Sequence, residues 1–276
     1  MCSCVGLALL TVAILSFADL ATGRRATIFG ATSGVGQLIA QQAASRSWGI
    51  NAVSRNIASA ASFDNLAGSN FVQADTRDAA SLAQPALFKD VDAVVISVGT
   101  TAFPTSKWEG DQNTPRIACL ESVENILNAM GAVQRRPKRV FLISSIGVER
   151  SNQFPFLILN WHKVLEYKKL SEQLLLERSK DLGFEAVVVR PGRLVGAPFT
   201  NFDLARLLQL DQGANKGVTV SAQDTVAGDM ERRDVARAVI SLMEAPVVKS
   251  PKIFSIVNAP GQAPTDEQLA ALLSSV

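Results

Sequence analysis

Apolar residues fall along this chain in short runs. Each run is followed by a stretch whose apolar positions recur every three or four residues. The first run, Arg25–Phe29, ends at a glycine, and Val35–Ser47 then carries a helical pattern. Ile50–Ser54 (INAVS) reads as a second strand and Asn70–Ala74 as a short third. Val91–Val98 (VDAVVISV) is almost continuously apolar, as expected of a central parallel strand covered on both faces. A polar loop carrying Trp108 precedes the long helical pattern Thr114–Gln134, and Arg139–Ser144 (RVFLIS) predicts the fifth strand. Asn160–Lys180 predicts another long helix, and Phe184–Arg190 (FEAVVVR) a sixth strand closed by Pro191-Gly192. Val195–Gly228 is less regular. Arg232–Glu244 predicts a helix and Lys252–Val257 a last strand. Thr265–Ser275 predicts a C-terminal helix with Thr265 as N-cap and Glu267-Gln268 near N3. Strands alternating with helices predict an α/β fold built on a doubly wound parallel sheet. No repeat, low-complexity tract or linker interrupts the pattern. Residues 24–276 are therefore expected to form one domain, with a small C-terminal lobe after Pro191.

Composition narrows the picture little further. The chain has 276 residues, 47% hydrophobic and 19% charged, which suits one large core. A formal net charge of +2 argues against a nucleic-acid binder that works by bulk charge. The basic run Arg135-Arg136-Pro137-Lys138-Arg139 reads as a solvated helix end before a strand. Of three cysteines, Cys2 and Cys4 lie at the extreme N-terminus and Cys119 in a helical pattern, so there is no disulfide framework and no zinc spacing. Residues 1–23 stand apart. Val5–Ala18 is apolar and uncharged, too short to span a bilayer comfortably, and suits the apolar region of a signal peptide, with Ala18 and Ala21 as small residues for cleavage. It lacks the usual basic flank, and the alternative is an extra apolar helix packed on the domain. No stable membrane span is expected in the mature chain.

The densest chemical signal lies where the first strand meets the first helix, in Gly30-Ala-Thr-Ser-Gly34-Val-Gly36. Gly30 lets the chain turn at the strand's end, Gly34 lets backbone approach a diphosphate, and Gly36 lets the helix pack closely. The helix N-terminus offers free N–H groups and a partial positive charge. Backbone across Gly30, Thr32, Ser33, Gly34, Val35 and Gly36 is thus expected to grip the diphosphate of a dinucleotide. At the end of the second strand, sites for NAD usually carry an acid that accepts from the ribose hydroxyls. Here stand Ser54, Arg55 and Asn56, and Arg55 can pair with a 2′-phosphate, so NADP is expected rather than NAD. Asp75, after the third strand, is placed to reach the adenine amino group. Gly99 ends the fourth, where a bulky side chain would obstruct the cofactor.

With these residues, and with Ile143-Ser-Ser-Ile-Gly147, Lys168-Lys-Leu-Ser-Glu172-Gln173 and Val189-Arg-Pro-Gly192, the chain resembles the short-chain dehydrogenase/reductase superfamily from about Arg25 onward. It looks closest to the atypical, NmrA-like branch among plant and algal plastid proteins. Ser33 replaces a glycine usual in that branch, and Gly34 follows it. The resemblance implies a Rossmann sheet with the nicotinamide across the C-terminal strand ends. It puts Ser144 or Ser145 near the reacting carbon and Lys168 on the nicotinamide ribose. Arg190, Pro191 and Gly192 would wall the pocket. It also implies a plastid location, reached through the secretory-type leader, with the cytoplasm as the alternative.

Typical members pair a tyrosine with a lysine four residues later, so that the cation lowers the phenol pKa for proton exchange. The one tyrosine here, Tyr167, is followed at that spacing by Ser171, and Val164 stands four before Lys168. Hydride transfer needs orientation and some proton source, for which His162, Tyr167, a serine or water are the candidates. The apolar segment Phe154–Asn160 lines a pocket or lid, or packs in the core. Three functions fit: an NADPH-dependent reductase of a small apolar molecule, a silent NADP-binding regulatory or assembly protein with a protein partner, and a non-reductive isomerase or lyase.

Overall fold

The computed structural model describes residues 23–56, 66, 68–198, 216–248 and 250–276. The leader expected over residues 1–23 lies outside them save for Gly23, as does much of the lobe expected after Pro191. The strands are β1 (Arg25–Phe29), β2 (Gly49–Ser54), β3 (Asn70–Gln73), β4 (Ala93–Ile96), β5 (Arg139–Ile143), β6 (Glu185–Pro191), β7 (Arg193–Val195), β8 (Gly217–Ser221), β9 (Asp229–Glu231) and β10 (Lys252–Ala259). Eight of them form one sheet in the order β3-β2-β1-β4-β5-β6-β10-β8, and β7 pairs with β9 separately. All neighbours in the large sheet run parallel except β8, which lies antiparallel on the edge against β10. From β1 the chain winds outward to β3, then returns to β4 on the other side of β1. Such a reversal opens a crevice at the carboxyl ends of the strands.

The helices are α1 (Gly34–Ser45), α2 (Ser122–Gly131), the short α3 (Phe156–Leu159), α4 (Val164–Leu182), α5 (Arg232–Glu244) and α6 (Asp266–Ser274). Alternation along the strands explains why both sheet faces are covered. Ala26 and Ile28, Ala93 and Val95, Phe141 and Ile143, and Val187 and Val189 point to the face carrying α1, α5 and α6. Phe29, Val94 and Ile96, Val140 and Leu142, and Ala186 and Val188 point to the face carrying α2 and α4. Every one of these side chains is buried, and each large one contributes roughly 1.5–3 kcal/mol.

The paired strands β7 and β9 were not expected, and four further elements differ from the sequence expectation. β4 is shorter than its apolar run, so Gly99 lies in the loop beyond it rather than at its end. The helix expected from Asn160 begins at Val164, because Lys163 turns through φ +62° and Asn160 Oδ1 accepts from the N–H groups of Leu165 (2.9 Å) and Glu166 (3.2 Å). The first part of the helix expected over Thr114–Gln134 is a π-helical stretch, Arg116–Glu121, leading into α2. Val195–Gly228, read as irregular, contains the edge strand β8. The C-terminal helix begins as expected, with Thr265 and Gln268 forming a reciprocal capping box. Among the described residues no helix is long and apolar enough to cross a membrane.

Candidate functional site

β1 ends directly beneath the glycine-rich turn. Gly30 has φ +82°, and a Cβ there would lie 2.4 Å from the Ser97 carbonyl oxygen. A Cβ on Gly36 would lie 2.3 Å from the Gly30 carbonyl oxygen, so α1 rests on the turn at backbone distance. Gly34 has φ +53° and opens α1, with Ser33 in extended conformation as the N-cap. Ser33 makes no side-chain cap, the first turn carries no acid, and the first bond onto the cap is Gln37 N to Ser33 O (3.2 Å). The N–H groups of Gly34, Val35 and Gly36 precede that bond. This is the arrangement in which a helix start binds an anion.

The carboxyl ends of β4 and β5 bring a second group together. Lys168, one turn into α4, donates through Nζ to the carbonyls of Ile143 (3.3 Å) and Ser144 (3.4 Å). The same Nζ lies 4.0 Å from where a Gly99 Cβ would be. Ser144 is buried and its Oγ has no hydrogen-bond partner, as is true of Thr100 Oγ1. A buried hydroxyl without a partner is costly and marks a place where another oxygen or nitrogen belongs. Ser145 Oγ, by contrast, is spent on its neighbour's carbonyl, Ile146 O (2.9 Å). The segment after β5 is stitched to β6 by Ser144 N to Val189 O (2.7 Å) and Ile146 N to Pro191 O (3.0 Å). Gly192 donates to Ile256 O on β10 (2.9 Å), and its own Cβ would meet Gly228 O at 2.4 Å.

The remaining expected residues sit at the other end of the crevice. Thr32 Oγ1 and Ser54 Oγ are 3.5 Å apart, linking the turn to the end of β2. Arg55 follows, with its carbonyl held by Gln73 Nε2 (3.2 Å). Asp75 is engaged by Arg77, whose Nε and Nη2 donate to both carboxylate oxygens at 2.5–3.1 Å. Those bonds hold the Asp75 carboxyl below the usual carboxylate range against the effect of its partial burial, and the charge of Arg55 adds to it. Tyr167 packs with Ala102 and Val226 against the apolar cluster around Cys119, Ile146 and Phe156. His162 stacks edge-on against Trp108, with ring centroids 5.2 Å apart. In the Phe154–Asn160 segment only Phe156 is buried. Phe154, Leu157 and Ile158 are exposed, as is Trp161 just beyond.

The pairing of Arg190, expected only as a wall of the pocket, and the role of Asp224 escaped the sequence reading. Arg190 is buried and its Nε and Nη2 reach both oxygens of buried Glu172 (2.6–3.2 Å), while Nη2 also reaches Glu149 (2.9 Å). A charge inside the apolar run of β6 demands a counter-charge, and Glu172 lies one helical turn after Lys168. That was the available signal. The buried Asp224 accepts from the N–H groups of Gly147 (2.8 Å) and Glu149 (2.9 Å) and from Arg150 Nη2 (3.1 Å). Nothing local in its sequence marks it.

A dinucleotide fits these residues on two observations. The glycines form a cradle that Cβ atoms would fill, and Ser144 Oγ waits without a partner beside Lys168. Fold and site together define a dinucleotide-binding domain of the Rossmann type. The chain belongs to the NAD(P)H-binding family, whose pattern matches residues 30–246. Among proteins of curated function none matches the sequence. Solved structures share the fold at low identity. A Bacillus halodurans protein described as an NAD-dependent epimerase/dehydratase aligns over 92% of this chain and 100% of its own, with a TM-score of 0.66 at 19% identity. An oxidoreductase of Lactococcus lactis aligns over 91% and 96%, at 0.64 and 18%. An anaerobillin reductase of Escherichia coli O157:H7 aligns over 87% and 100%, at 0.61 and 19%.

Proposed function

We propose that this protein is an NADPH-dependent reductase of a small apolar molecule. The observation that carries the reading is Lys168 Nζ on the backbone carbonyl of Ser144, whose own Oγ has no partner, at the end of β5. When bound, the nicotinamide supplies the hydride. The chain's own residues would hold and orient. The α1 amides would take the diphosphate, Lys168 the nicotinamide ribose, and Ser144 Oγ a substrate or carboxamide oxygen. Pro191 and Gly192, fixed to β10, would close the wall behind the ring. The proton would come from solvent or a hydroxyl, since Tyr167 packs among apolar side chains.

The test is consumption of NADPH across a panel of quinones, enones and aldehydes. Lys168→Ala is expected to lower turnover at least tenfold and to weaken NADPH binding measured by its fluorescence. A panel-wide absence of consumption, with NADPH still tightly bound, rejects the reductase. It would favour the alternative of a silent NADP-binding regulatory or assembly protein, which the exposed Phe154, Leu157, Ile158 and Trp161 also suit.

Arg55 carries the preference for NADP. Arg55→Asp replaces a partner for the 2′-phosphate by a like charge, and the NADPH-to-NADH affinity ratio is expected to fall by roughly a hundredfold or more. A ratio that stays put in titrations with both coenzymes removes Arg55 from the site.

A further inference from the structure

We infer that Asp224 is a positioning residue for hydride transfer, holding the loop after β5 so that Ser144 Oγ keeps a fixed place for the reacting oxygen. This rests on the reductase reading. Asp224 lies in residues 222–228, which join β8 to β9, and its side chain is 1% exposed. Its carboxylate reaches out of its own segment and into that loop. Oδ1 accepts from Gly147 N (2.8 Å) and Oδ2 from Glu149 N (2.9 Å). Those amides stand at the start of the short turn Val148–Arg150, where no preceding turn supplies acceptors. Arg150 Nη2 donates to Oδ1 as well (3.1 Å) and to Val226 O (2.8 Å). The Arg150 guanidinium lies 4.6 Å from the centroid of the Phe156 ring. That ring fills the space beside Gly147, where a Cβ would fall 2.1 Å from Phe156 Cδ1.

The loop is thus anchored on both sides of Ser144. Toward β6, Ser144 N and Ile146 N bind Val189 O (2.7 Å) and Pro191 O (3.0 Å). Beyond Gly147, which turns through φ +86°, Asp224 holds it. Ser144 sits between these anchors, and its carbonyl receives Lys168 Nζ (3.4 Å). The stretch that carries Asp224 ends at Gly228, whose carbonyl accepts from Arg193 N (3.0 Å) just past Pro191 and Gly192. One short segment therefore braces both the Ser144 loop and that wall. A buried carboxylate is costly unless donors meet it, and here the donors belong to the loop that presents Ser144. Freed of them, the loop can drift by about an ångström, a misplacement that costs about a hundredfold in rate.

The experiment uses the full chain, NADPH and whichever quinone, enone or aldehyde the wild type reduces best. Asp224→Asn keeps the size and one acceptor and sets an N–H against a backbone N–H. The single-turnover rate of NADPH oxidation, counted per NADPH-binding site by fluorescence titration, is expected to fall by roughly tenfold to a hundredfold. The NADPH dissociation constant is expected to stay within about threefold of wild type, because the amides of the glycine-rich turn are untouched. A residue that only stabilises the fold would lower the melting temperature and the number of sites, and leave the rate per site unchanged. That result overturns the assignment, as does a loss of NADPH affinity as large as the loss of rate. If Asp224→Asn does not fold, Arg150→Gln takes its place. It cuts the bonds to Asp224 and Val226 O from a side chain 22% exposed. The rate per site is then expected to fall by roughly threefold to tenfold, and an unchanged rate overturns the assignment. A wild type that consumes no NADPH across the panel rejects the reductase, and the assignment falls with it. A reducing wild type with an unaffected variant rejects the assignment alone.

Discussion

Gly36→Ala is expected to cost at least a hundredfold in dinucleotide affinity. The added carbon would stand 2.3 Å from the Gly30 carbonyl oxygen, 2.8 Å from its carbon and 3.2 Å from Ser97 Cβ. The first two are backbone atoms in the turn itself, so no side chain can swing aside. The start of α1 must back away from β1, and the amides that face the crevice go with it. Overpacking of this kind costs about 1–3 kcal/mol in stability, while the larger loss is in binding, since misplaced donors no longer converge on one anion. Gly34→Ala makes the informative comparison. Its Cβ meets nothing closer than Arg232 at 4.0 Å, so only its positive φ is strained. Calorimetric titration with NADPH and urea melts of both variants separate the two effects. A Gly36→Ala protein that binds like wild type would falsify the account of the turn.

Glu172→Gln is expected to destabilise the fold by about 3 kcal/mol, the lower end of what breaking a buried pair costs. Arg190 and Glu172 have side chains 7% and 3% exposed, and three of the arginine's bonds end on that one carboxylate. The amide keeps the shape and removes the charge. Glu149 keeps the loss from being greater: it also pairs with Arg190, but it is 43% exposed and bound to Lys169, whose bond holds its carboxyl below the usual range. The melting temperature should fall by about 5–10 °C. Because the pair ties α4 to the end of β6, NADPH binding should weaken as well, through Lys168 and Pro191 together. Differential scanning calorimetry reads the first effect. A melting point within a degree of wild type would show that the pair contributes little.

The sheet was legible wherever both of its faces are buried. Val91–Val98 and Phe184–Arg190 announce themselves because alternate residues feed two cores, so Ala93–Ile96 and Ala186–Val189 are apolar without a break. The glycine-rich turn was legible for a different reason: close backbone approach excludes every residue but glycine, and the spacing records it. Boundaries set by side-chain capping were harder. Asn160 looks like part of a helix until its Oδ1 is seen taking amides five and six residues ahead. β8 was missed because its partner, β10, lies more than thirty residues on, and five residues of modest alternation resemble a loop. Separation in sequence also hides Glu172 from Arg190, eighteen residues away, and Asp224 from Gly147, seventy-seven away. Each is an ordinary surface residue type until the fold sets its partner opposite.

The seam between β6 and β10 dictates an order of events on the ribosome. β1 to β4, with the glycine-rich turn, come from roughly the first hundred residues. Gly192 is fixed by Ile256 O, near the chain's end. The residues of the glycine-rich turn are therefore translated well before those that fix the opposite wall, and the crevice is completed only once β10 has been made.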